Sequence, residues 1–136
     1  MPWVIDTCLL IDLAEDDSEF FEASARLVES KRAEGLVVCP ITYVELAPVF
    51  EGHEESIHEF LQKLGVPWPE AWTVADTQTA FVAWMSYVKR KRGGQLPKRP
   101  IADVLIGAFA MRFQGLLTRN LQDFRALFPT LAIQTA

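Results

Sequence analysis

The sequence has no apolar run long enough to cross a membrane. Its longest, Ile101 to Met111, includes Asp103 and falls short of the roughly 20 residues that a spanning helix requires. It also lacks a leader-like start: Asp6 interrupts the first apolar run and no basic residue precedes it, which reads as a cytoplasmic chain. Only two cysteines occur, Cys8 and Cys39, both in apolar surroundings. That suits buried thiols in a reducing compartment rather than a disulfide framework. Seven glycines and eight prolines are too few for a low-complexity segment. G-x-x-x-x-G-K, G-x-G-x-x-G and G-x-S-x-G are all missing, which argues against a P-loop protein, a dinucleotide-binding protein and a triad hydrolase. His53 and His58 are five apart, about 140° around a helix, so they do not form the i,i+4 pair of a zinc protease. What remains is one domain spanning residues 1–136, half of it hydrophobic and large enough to bury about two-thirds of its unfolded surface around one core.

The net charge of −5 hides an asymmetry. Residues 1–62 hold 14 acids and three bases, whereas residues 63–136 hold four acids and 10 bases. Six of the 13 bases, Lys89, Arg90, Lys91, Arg92, Lys98 and Arg99, fall in one eleven-residue window. A local positive patch attracts a polyanion whatever the total, because exposed charges beyond a Debye length of about 8 Å are largely screened.

Short apolar runs alternate with amphipathic segments. Pro2 to Ile5 and Leu36 to Cys39 read as buried strands, with a helix between them that Ser18 caps and Gly35 stops. A helix from about Thr42 follows, in which Pro48 should introduce a kink or an early end. Ile57, Leu61 and Leu64 share the face of another helix. Trp72 to Ala75 is a candidate third strand, and Asp76 caps a helix whose Phe81, Trp84, Met85 and Val88 follow the i, i+3, i+4, i+7 pattern. Gly93 to Arg99 reads as a loop. Pro100 then starts a helix to about Phe113, Gly115 to Thr118 forms a fourth strand, Asn120 to Leu127 a short helix, and Leu131 to Gln134 an edge strand. Strands alternating with helices give an α/β fold with a parallel, helix-covered sheet.

The acids fall where that fold places chemistry. Asp6 ends the first strand, Glu45 lies in the first turn after the second, Asp123 in the first turn after the fourth, and Asp103 opens the helix that leads into the fourth. In a parallel sheet, the carboxyl ends of the strands and the starts of the following helices share one edge, where ligands bind. Singly, each acid suits helix capping: Thr42-x-x-Glu45 and Asn120-x-x-Asp123 both have the pattern. Capping leaves unexplained why all four meet one edge. Two carboxylates about 4 Å apart repel by roughly 4 kcal/mol at an effective dielectric of 20, so a cluster calls for a counter-charge. Hard oxygen ligands without accompanying histidine or cysteine suit Mg²⁺ or Mn²⁺.

The segments V-I-D-T-C-L-L-I-D-L, P-I-T-Y-V-E-L, I-A-D-V-L-I-G-A-F-A and L-L-T-R-N-L-Q-D-F, in this order over nearly the whole chain, resemble the PIN domain, most closely VapC-type toxin ribonucleases. The resemblance implies a three-layer α/β/α sandwich around a mostly parallel sheet of about five strands. It also implies a magnesium-dependent endoribonuclease that dimerises and is held inactive by a cognate antitoxin. Asp6, Glu45 and Asp103 match the three main acids of the family. Asn120 stands where an acid is common, leaving Asp123 as the fourth, and Thr7 and Thr118 match residues that line the pocket.

On this reading Asp6 and Asp103 bind the principal ion while Glu45 and Asp123 complete its shell. The basic residues Lys89, Arg90, Lys91, Arg92, Lys98 and Arg99, with Arg119 beside the acidic edge, are candidates for contact with RNA phosphates. The same bases also suit the end of a helix, where they complement its dipole. The rival function is a catalytically silent PIN-like module that binds RNA or protein.

Overall fold

The computed structural model describes residues 1–92 and 100–136, without the side chain of Arg92. Four strands, β1 (Trp3–Ile5), β2 (Leu36–Val37), β3 (Gly115–Thr118) and β4 (Ile133–Thr135), form a parallel sheet in the order β2-β1-β3-β4. Around it run α1 (Thr7–Ala14), α2 (Phe21–Lys31), α3 (Pro40–Glu45), α4 (Glu54–Lys63), α5 (Val74–Arg92), α6 (Ile101–Ala110) and α7 (Leu121–Leu127). The register pairs Val4 with Val37 on one side and with Leu116 on the other. Every residue of β1, β2 and β3 is buried, as expected of strands covered on both faces.

Successive side chains enter opposite cores. Val4, Val37 and Leu116 pack with Ala80, Ala83, Val104, Phe109 and Phe124 from α5, α6 and α7. Trp3, Ile5 and Leu117 pack with Leu9, Leu10, Leu27, Val28, Ile57 and Leu61 from α1, α2 and α4. The architecture is the expected helix–sheet–helix sandwich.

Several boundaries differ from expectation. One helix was expected between β1 and β2, but there are two, because α1 begins directly after Asp6. Asp17, rather than Ser18, receives the amides of Glu19 and Phe20 ahead of α2. Trp72 to Ala75 is not a strand, so the described sheet has four strands instead of about five. Helix α5 begins at Val74, inside that segment, and takes its second half. Thr73 and Asp76 then exchange reciprocal side chain–amide bonds that start α5. Pro40 starts α3 ahead of Thr42, and the helix stops at Glu45, short of Pro48.

The pattern Phe81, Trp84, Met85, Val88 does not mark the core face of α5. Phe81 and Met85 are exposed, and the helix instead buries Asp76, Ala80, Ala83 and Tyr87. These include two alanines, which let α5 approach α6 closely. On α6, Gly107 makes room for a different neighbour, the Phe128 ring that follows α7, since a Cβ there would lie 2.3 Å from it.

Arg112 joins the end of α6 to the start of α5. Its Nε and Nη2 donate to Asp76 Oδ1 and Oδ2 at 3.0 and 2.9 Å, and Nη2 also reaches the Ala71 carbonyl at 2.9 Å. Burial pushes the Asp76 carboxyl up, but the Arg112 guanidinium and the Thr73 amide outweigh it and hold the group below the usual carboxylate range. Removing one partner of a buried pair costs about 3–5 kcal/mol. With Arg112 31% exposed, about 2 kcal/mol is expected for Asp76→Asn at pH 7, measured by urea unfolding. A depressed folded pKa stabilises above the unfolded value of about 3.9 and is lost as pH falls through the folded one, so the gap between variant and wild type should shrink below about pH 4. A gap unchanged down to pH 3 would show that shape rather than charge is involved.

Candidate active site

The strand order reverses at β1. The chain leaves β1 toward β2 on one side, then crosses to β3 on the other. Loops following β1 and β3 therefore diverge, leaving the crevice where open α/β sheets place their ligands.

Asp6 stands at this crevice. Its amide donates to the Leu117 carbonyl at 2.9 Å, extending the β1–β3 ladder by one residue. Its side chain is 3% exposed. Oδ1 accepts the Thr7 amide at 2.8 Å and so caps α1, while Oδ2 accepts the Thr118 hydroxyl at 2.6 Å and the Cys8 thiol at 3.3 Å. Burial drives its pKa up. Hydrogen bonds from Thr118, Cys8 and Thr7 work against this, the negative charge of Glu45 adds to it, and the net direction is upward.

Glu45 reaches the same place from α3. Thr7 Oγ1 lies 2.6 Å from Glu45 Oε1 and 2.9 Å from Thr42 Oγ1. One hydroxyl proton serves one acceptor, and a carboxylate is the stronger, so Thr7 donates to Glu45. Thr42 is fully buried and turned toward Thr7 instead of capping its helix, and Glu45 is the last residue of α3 rather than part of its first turn. The capping-box interpretation therefore fails for this pair, and two carboxylates flank one threonine.

The other two acids are positioned by topology. Asp103 is half-buried in the first turn of α6. That helix is ~15 Å long and leads to the start of β3, so its N-terminus faces the edge where the strands end. It also packs against α3. Asp123 is exposed in the first turn of α7, and Asn120 donates its amide to Thr118 Oγ1 at 2.9 Å without capping that helix through its side chain. Among the described residues, no three His, Cys, Asp or Glu side chains stand close enough together to hold a metal ion. The structure brings Asp6 and Glu45 together and does not gather Asp103 and Asp123 with them into one shell.

Lys89 and Arg90 are exposed and Lys91 half-buried at the end of α5. Lys98, Arg99, the Arg92 side chain and the loop expected from Gly93 to Arg99 lie outside the described residues. Arg119 is engaged from within. Its Nε and Nη2 donate to Asp12 at 2.8 and 3.1 Å, and its guanidinium lies 4.0 Å from the Phe20 ring centre. Sequence reasoning missed Asp12, which is 2% exposed and also accepts the Ser24 hydroxyl. An acid within the apolar stretch of α1 was the signal for it. Neither Cys8 nor Cys39 is in a disulfide. Burial pushes their thiols up, to about 12 and about 11, with the Asp6 charge adding at Cys8.

A search of curated protein sequences finds no match. Among solved structures, the chain is similar to the crystal structure of VapBC2 from Rickettsia felis bound to a DNA fragment from its promoter. That match has a TM-score of 0.74 and 16% identity, and covers 100% of this chain and 99% of the other. A similarity at that identity establishes the shared fold. The PIN domain profile matches residues 3–127, nearly the full length, and the chain therefore belongs to the PIN domain family.

Proposed function

We propose that this chain is a divalent-metal-dependent endoribonuclease, the toxin of a toxin–antitoxin pair, acting in the cytoplasm. The observation that carries the reading is the buried Asp6 carboxylate, joined through Thr7 to Glu45 at the crevice between β1 and β3. Family membership supports it, since PIN domains are in general nucleases. The structural neighbour contains a toxin and its antitoxin, which supports a protein partner here.

The donors suit Mg²⁺ or Mn²⁺, because they are carboxylate and hydroxyl oxygens. Mg²⁺ keeps several waters and takes one or two carboxylates together with substrate phosphates, so the Asp6–Glu45 pair meets its minimum demand on the protein. Asp6 and Glu45 would hold the ion, a reading supported by their joint contact with Thr7. Asp103 and Asp123, expected from the sequence in the same shell, are not gathered with them among the described residues, and Thr7, Thr118 and Asn120 would line the pocket. Bound there, the ion supplies a water of lowered pKa and neutralises charge on the phosphoryl oxygens.

The rest falls to the chain itself. Thr118 and the Thr7 amide fix the Asp6 carboxylate, and Thr7 fixes that of Glu45, so neither needs to reorganise when substrate arrives. Lys89, Arg90 and Lys91 end α5, shortly before the chain returns at Asp103, and draw the RNA backbone toward that edge. Arg119, paired with Asp12, acts first as a brace for the turn that leaves β3. Attack by water would give 5′-phosphate and 3′-hydroxyl ends.

The absence of a three-acid cluster among the described residues favours one other reading, a silent binding module. Calorimetry with Mn²⁺ separates the two: binding lost in Asp6→Ala supports the enzyme, and no binding even with RNA present supports the module. On labelled RNA, Asp103→Asn should keep the fold and lower Mg²⁺-dependent cleavage by roughly a hundredfold or more, the scale of losing one electrostatic partner of the transition state. Full activity of that variant, or cleavage indifferent to EDTA, ends the metal-site hypothesis. Thr118→Val, which keeps the shape but strips Asp6 of its shortest bond, should destabilise the metal-free protein by about 1–3 kcal/mol in urea unfolding.

A further inference from the structure

Trp68 is 65% exposed, and the chain presents it on a stiff support. Pro67 and Pro69 restrict the backbone on either side of it. Before it, the buried Val66 donates its amide to the Leu61 carbonyl at 2.9 Å, and after it Glu70 donates to the Val38 carbonyl at 3.1 Å. The indole does not stand alone. Its ring centre lies 4.0 Å from that of His58 on α4, and the His58 ring centre lies 5.5 Å from that of Tyr43 on α3. A polar chain fixes these rings, since Tyr43 Oη lies 2.7 Å from Glu54 Oε2 and 3.1 Å from His58 Nε2. The carboxylate can only accept, so the phenol donates its proton to Glu54 and accepts from the His58 N–H. The bond to Glu54 pushes the Tyr43 phenol up to about 12, which keeps it a neutral donor.

We infer that Trp68, held by His58 and Tyr43, is a platform on which an unpaired RNA base stacks beside the acidic edge. The inference rests on the nuclease reading and adds to it a residue that selects substrate. Position carries it. The register that pairs Val4 with Val37, continued by one residue, sets Val38 level with Ile5, the residue before Asp6. Because β2 is the edge of the sheet, Glu70 lies on the outer side of Val38, two strand spacings or about 10 Å from β1, and Trp68 is two residues away. Tyr43 also precedes Glu45 by two residues on α3. Platform and acid pair are thus neighbours along one edge, at a separation that a few nucleotides span. Every base offers a π face to an indole, whereas a duplex hides its bases. The surroundings favour a base over a phosphate, because Glu54, Glu55 and Glu70 are exposed and their charge turns the backbone away while accepting the neutral base. An arginine or lysine of a partner protein is the competing occupant, since cations also settle on indole faces. The edge shared with Asp6 and Glu45 favours the base.

The test is the anisotropy of a short labelled single-stranded RNA containing all four bases, titrated with the full chain in EDTA so that binding is read without metal-dependent cleavage. Trp68→Ala should weaken binding roughly tenfold, the scale of one lost base–aromatic stack, and Trp68→Phe should restore most of it. The salt dependence of binding should keep its wild-type slope in Trp68→Ala, because no phosphate contact is lost, whereas Lys89→Ala should lower the slope. The same RNA annealed to its complement should bind without regard to Trp68. Circular dichroism of Trp68→Ala should match wild type, since the indole is exposed. Wild-type affinity in Trp68→Ala overturns the platform, as does a loss accompanied by a lower salt slope, a duplex equally dependent on Trp68, or a wild type that binds no RNA. A Trp68→Ala chain that keeps RNA but releases a basic protein partner also overturns it. Normal RNA affinity in Trp68→Ala leaves cleavage at the acid pair standing. Conversely, RNA held through Trp68 by a chain whose cleavage ignores EDTA removes the metal site and keeps the platform.

Discussion

A carboxylate that is 3% exposed must find hydrogen-bond partners or cost the domain several kcal/mol. For Asp6 those partners come from two distant parts of the chain, the first turn of α1 and the last residue of β3. They meet only because β1 and β3 are neighbours in the sheet and run the same way. The pairing of these two strands is thus the condition for the site. Each strand is entirely buried, so the apolar contacts that fix the pairing also exclude water from the acid at its end.

From Asp6 the arrangement spreads outward. Thr7 is held in place by the turn that Asp6 caps, and its hydroxyl fixes Glu45 on a helix that begins 33 residues later in sequence. Thr42 supports Thr7 from behind. The result is two acidic groups held close by neutral hydroxyls, with Cys8 adding a thiol and, among the described residues, no positive side chain. Arg119, the nearest base in sequence to Thr118, turns to Asp12. Among the described residues, the charge of the pair is therefore not met by any base.

Much of this could be read from the residues. Strands buried on both faces appear as short apolar runs, and those at Trp3, Leu36 and Gly115 were visible for that reason. Placing Asp6 at the end of the first run needed nothing further. Periodicity was less informative where it shows that a helix has an apolar face without saying which way the face points. In α5 Phe81 and Met85 lie outward while Ala80 and Ala83 lie inward with Tyr87, which the spacing of the larger residues does not suggest. The Thr42-x-x-Glu45 pattern was ambiguous because a capping box and a buried hydroxyl chain share the same spacing, and only the start of α3 at Pro40 decides between them. Asp12 was missed although it carried the signature that singled out Asp103, an acid inside an apolar stretch. Its partner is 107 residues away, a separation that local pattern cannot bridge.

The alternation of β1 between two cores ties structure to chemistry in one further way. Trp3 and Ile5 belong to one side of the sheet and Val4 to the other. A slip of β1 by a single position would swap all three into the wrong layer and, in the same movement, carry Asp6 off the end of the ladder. Misaligned forms with a functional acidic edge are thereby ruled out. The domain proofreads the geometry of its acidic edge with the same hydrophobic contacts that let it fold.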